Sequence, residues 1–104
     1  MGFAEEFARV QRAAYSTAKV KGFQEREKDI LFVPTALALI MSEAVEALAE
    51  DRKGNRAALG PELADIVLRT MNLAETLRID LGAEIEKKAA FNVLRPHKHG
   101  GKLY

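Results

Sequence analysis

Hydrophobic residues recur every three or four positions through four stretches of this chain, with polar or turn-forming residues between them. Phe3, Phe7, Val10, Ala14 and Thr17 fall on one helical stripe and predict a first helix over 2–20. Lys21-Gly22-Phe23 breaks the period, and the strongly polar run 24–29 predicts a connector. Pro34 suits a helix start, where its missing N–H would have had no partner, so a second helix is predicted over 34–53. It carries Leu37, Ile40, Met41, Ala44 and Leu48 on one face, and Gly54-Asn55 supplies a left-handed stop after the cations Arg52 and Lys53. Gly60-Pro61 opens a third helix with Leu63, Ile66, Val67, Thr70, Ala74 and Leu77 on one side. Asp80 is the predicted N-cap of a fourth helix over 81–94, with Gly82 weakening its first turn. Arg95-Pro96 ends that helix, and 95–104 reads as a basic, irregular tail. Four helices with short connections predict an all-α fold, a single-domain helical bundle over 1–104.

Composition agrees with the periodicity. Ala, Glu, Lys, Leu and Arg make up 56 of the 104 residues, a share typical of long helices. With no cysteine, a disulfide framework, a zinc–thiolate site and a cysteine nucleophile are excluded. That is compatible with the reducing cytoplasm, where the protein is expected to work. A net charge of +1 argues against a nucleic-acid partner. No uninterrupted apolar run approaches a membrane span, and the acidic start Met1-Gly2-Phe3-Ala4-Glu5-Glu6 does not read as a signal peptide, so no membrane partner is expected.

Two acidic pairs carry the candidate chemistry. Glu43-Ala44-Val45-Glu46 lies on the second helix and Glu62-Leu63-Ala64-Asp65 on the third. An i, i+3 spacing sets both carboxylates of a pair on one helix face, and a short connection makes the two helices antiparallel neighbours. Four converging acids repel one another unless a cation neutralises them, and oxygen donors on rigid helices suit Mg²⁺. Charges at this spacing also occur on plain solvated faces. Here, however, Glu62, Asp65, Arg69, Asn72 and Thr76 form a polar stripe with the main apolar face on one side and Leu68 and Met71 on the other. Apolar flanks on both sides predict a semi-buried wall rather than open surface.

Glu43-x-x-Glu46, fifteen residues, then Glu62-x-x-Asp65 resembles the ExxE…ExxD signature of the MazG-like, all-α nucleoside triphosphate pyrophosphohydrolases. The strings 42–48 and 62–68 are similar to that family's helices, and Lys88-x-x-x-Asn92-x-x-Arg95 resembles a basic block that follows the acidic pairs in many members. The resemblance covers most of the chain from Lys21 onward. It implies cleavage of a nucleoside triphosphate between the α- and β-phosphates, with Mg²⁺ as cofactor and Mn²⁺ able to substitute. It also implies Glu43, Glu46, Glu62 and Asp65 as metal ligands, with Glu43 and Glu46 in the catalytic set. Lys88, Asn92 and Arg95 would bind substrate. No tryptophan is present, so Phe7, Phe23 and Tyr15 are the aromatic candidates for stacking on a base. A phosphoribosyl-ATP pyrophosphatase-like enzyme and a non-catalytic helical module are the alternative readings. His97-x-His99 is a weak metal pair on a tail.

Apolar residues on more than one side of the second and third helices predict a homo-oligomer, a dimer or tetramer as in MazG-like relatives. In a lone chain Leu39, Leu68 and Met71 would face water.

Overall fold

In the computed structural model, which describes residues 2–96, the regular structure is entirely helical. Helix α1 spans Phe3–Val20, α2 Phe32–Arg52, α3 Leu59–Thr76 and α4 Leu81–Leu94, with a short 3₁₀ turn Arg56–Ala58 leading into α3. The helix α4 predicted from the sequence coincides with the observed one, and Asp80 caps it by accepting from the Ala83 N–H at 3.1 Å. Two starts differ. Helix α2 begins at Phe32, two residues before Pro34, because the Phe32 N–H is already bonded to Asp29 O in the preceding turn. Helix α3 begins at Leu59, so Gly60-Pro61 sits inside its first turn, where a proline removes no helical bond.

The stops of the first three helices share one chemistry. Gly22 at φ +87°, Gly54 at φ +82° and Arg78 at φ +57° each take the left-handed conformation just past a helix. In each case the following N–H reaches back to close the helix: Phe23 to Ala18 O, Asn55 to Glu50 O and Ile79 to Ala74 O, at 2.8–2.9 Å. Arg78 does this without glycine's freedom.

The packing order differs from the chain order. Helix α3 lies in the middle, with α2 packed on one side and α1 on the other, and α4 packs on α1. Among the described residues no other pair of these four helices shares an extended contact, so they form an open row rather than a closed bundle. Gly82 lies at the α1–α4 crossing, where a Cβ would come within 3.0 Å of Phe7 Cβ and 3.1 Å of Ala4 Cα. It is the close approach of two backbones that requires this glycine.

The core is correspondingly thin. Among the described residues Ala47, Met71, Leu73 and Ala74 are the buried hydrophobic ones, and no large side chain is fully enclosed. Met71, expected to face water in a lone chain, is instead covered, at 6% exposure. Leu39 and Leu68 remain 44% and 42% exposed. The face of α2 bearing Leu37, Met41 and Leu48 is open as well, because among the described residues α3 is the one α-helix that packs extensively on α2. Although interrupted by Glu43 and Glu46, α2 is long and apolar enough, by length and composition, to cross a membrane. Two carboxylates at mid-helix would be costly there without partners.

Candidate metal centre

The α2–α3 hairpin brings the acidic pairs together in opposite order. Glu43 on α2 meets Arg69, one turn beyond Asp65 on α3, while Glu46 and Glu50 lie close enough to Glu62 to act on its charge. Carboxylate oxygens of Glu43, Glu62 and Asp65 all lie within 4.8 Å of one another. Glu46, expected as a fourth ligand, is exposed and stands outside that trio, though its charge acts on Glu62 more strongly than any other.

Glu62 is the strained member. Its Oε2 is buried with no hydrogen-bond partner among the described residues. Burial pushes its carboxyl above the ordinary carboxylate value, and the charges of Glu46, Glu43, Asp65 and Glu50 push the same way. An orphaned buried oxygen among like charges fits a site that binds a hard cation. Asp65 is exposed and leaves one side of the trio open.

Arg69 neutralises part of this charge: its Nε donates to Glu43 Oε1 at 2.9 Å, with the Glu43 side chain only 14% exposed. Beyond Arg69 the polar stripe of α3 runs into a network that ties down the connector. Gln24, 5% exposed, donates to Thr76 Oγ1 at 3.0 Å and to Glu27 Oε2 at 2.9 Å, and accepts from Asn72 Nδ2 at 2.6 Å. The Tyr15 hydroxyl donates to Glu27 at 2.8 Å, which raises its own pKa above the ordinary value. Gln11, also buried, donates to Glu75 Oε1 and Ile79 O, both at 3.0 Å, and joins α1 to the end of α3. The sequence marked 24–29 only as polar; an amide three residues from a carboxylate was the one signal available for this network.

Two open clefts flank the centre. One, of about 360 Å³, lies between the connector, α2 and α3 and includes Phe23, Phe32, Leu39 and Arg69 in its lining. The other, of about 490 Å³ between α1 and α3, includes Thr17, Lys21, Phe23, Asp65 and Arg69. Both volumes lie in the range of small-molecule sites. Of the aromatic candidates, Phe23 lines both clefts and is 63% exposed. Tyr15 is committed to Glu27, and Phe7 packs beside Phe3 and Gly82.

Lys88, Asn92 and Arg95 are exposed on and just after α4, which packs on α1. Among the described residues no hydrogen bond or ion pair links them to the acids; Lys88 Nζ lies 4.9 Å from the Phe91 ring centre. A single chain therefore does not bring the basic block to the acidic trio. The tail beyond Pro96, with His97 and His99, lies outside the described residues.

Comparison with protein-family models, curated proteins and solved structures returns no match. The MazG-like resemblance therefore rests on the spacing and identity of the residues quoted above.

Proposed function

We propose that this protein is a Mg²⁺-dependent nucleoside triphosphate pyrophosphohydrolase, releasing the monophosphate and pyrophosphate. What supports it above all is the mutual approach, within 4.8 Å, of carboxylate oxygens from Glu43, Glu62 and Asp65, with the Glu62 oxygen orphaned. Glu43, Glu62 and Asp65 hold the cation, with Glu46 adding negative charge at its edge. Mg²⁺, or Mn²⁺ in its place, would supply neutralisation of the triphosphate charge and make water at the site easier to deprotonate. A carboxylate of the set not engaged by metal accepts a proton from the attacking water, which adds in line at the α-phosphorus as pyrophosphate leaves.

Lys88, Asn92 and Arg95 hold phosphate and sugar oxygens when a neighbouring copy presents its α4, because α4 of the same chain is packed elsewhere. A homo-oligomer, dimer or tetramer, covers the open apolar faces of α2 and α3, and the assembly works in the cytoplasm. Burying such surface contributes roughly 25 cal/mol per Å², which is substantial for a core this thin.

The test is pyrophosphate release from a panel of nucleoside triphosphates with and without Mg²⁺. Glu62→Gln and Asp65→Asn should each lower turnover by about 100-fold or more while helical circular dichroism persists. Because Glu62 is a destabilised charge, Glu62→Gln should also raise the melting temperature in metal-free buffer at neutral pH. Unimpaired release by either folded variant overturns the assignment.

A further inference from the structure

Arg69 is the only basic side chain ion-paired with the acidic trio among the described residues, and its position is unusual. It lies four residues after Asp65, on the same face of α3, and reaches across to Glu43 on α2. Only its Nε is hydrogen-bonded among the described residues, which leaves four of the five guanidinium N–H groups uncommitted. It also lines both clefts, at the junction between the acids and the space a small ligand would fill.

We propose that Arg69 is the resident counter-cation of the unloaded centre, and that filling the centre with a divalent cation releases its guanidinium to the phosphate oxygens of the substrate. This rests on the metal-centre reading above. Without a divalent ion, three close carboxylates need positive charge, and the guanidinium supplies one unit of it through Glu43. A divalent cation on the same oxygens repels the guanidinium and competes for Glu43. An anionic triphosphate arriving with that cation offers better acceptors, and the planar fork of arginine binds two phosphate oxygens side by side. One side chain thus opposes metal binding alone and favours metal and phosphate together, so that the centre loads as a complex.

Binding of Mn²⁺ alone and of magnesium tripolyphosphate, measured by calorimetry on the full chain, separates the two halves. Relative to wild type, Arg69→Gln should bind Mn²⁺ about tenfold more tightly and magnesium tripolyphosphate about tenfold more weakly. Arg69→Lys keeps the charge and guards against loss of fold. It should leave Mn²⁺ affinity near wild type and weaken tripolyphosphate binding, since an ammonium lacks the fork. A purely structural arginine would move both affinities in the same direction along with the melting temperature. Mn²⁺ affinity that does not rise in folded Arg69→Gln overturns the counter-cation role, and unchanged tripolyphosphate affinity overturns the hand-over, in each case with the metal centre itself intact. Wild-type protein that binds no Mn²⁺ overturns the metal centre and this inference together.

Discussion

Gln24 is the side chain through which the 21–31 connector is fastened to α3, so Gln24→Ala is the most informative structural perturbation. Its amide bonds two neutral partners, Asn72 Nδ2 at 2.6 Å and Thr76 Oγ1 at 3.0 Å, in a position only 5% exposed. Two neutral hydrogen bonds are each worth about 0.5–1.5 kcal/mol. Truncation also strands the Asn72 amide, whose Oδ1 already lacks a partner among the described residues, and leaves a small void. Together these come to roughly 2–3 kcal/mol, and the bond to Glu27 adds in the same direction. For a chain of this length that is a fall in melting temperature of roughly 10–14 °C. Thermal unfolding followed by circular dichroism at fixed protein concentration measures it, with Arg26→Ala as a control on the same connector, its exposed side chain making no hydrogen bond or ion pair among the described residues. Because the connector walls the cleft that contains Phe23 and Arg69, substrate affinity should fall with stability. A loss of less than about 3 °C would show that the network is not what holds the connector, and would refute this account of its energetics.

Two further outcomes follow from the geometry. Donation from Gln24 and from Tyr15 holds the Glu27 carboxyl below its ordinary value of 4.5. Its stabilisation is thus fully present above that pH and is lost as pH falls through the lower folded-state value. Between about pH 5 and pH 3 the wild type should lose more thermal stability than Glu27→Gln, and equal losses would refute the coupling. At Arg78, φ +57° places a side chain where glycine is at ease, so Arg78→Gly should stabilise the protein by about 0.5–1 kcal/mol in urea unfolding. A decrease would mean that the arginine side chain contributes more than its backbone strain costs.

Much of this protein was determined by its sequence alone, because the deciding interactions are local. The 3.6-residue period, the Asp80 cap and the glycine stops at Gly22 and Gly54 act within a few residues, and they define four helices with boundaries close to those observed. The i, i+3 acids were legible for the same reason: helix geometry sets Glu62 and Asp65 on one face whatever surrounds them. Arg78 escaped notice because nothing about an arginine announces a left-handed turn. Only the tertiary structure decided that Glu43, Glu62 and Asp65 form the close trio while Glu46 stands at its edge, since that depends on the rotation of α2 against α3. It also decided that Arg69 reaches Glu43, that Gln24 is buried, and that α4 packs on α1 away from the acids. Those outcomes depend on how helices distant in the chain pack together, and a periodic apolar stripe specifies that a face is covered without specifying by what.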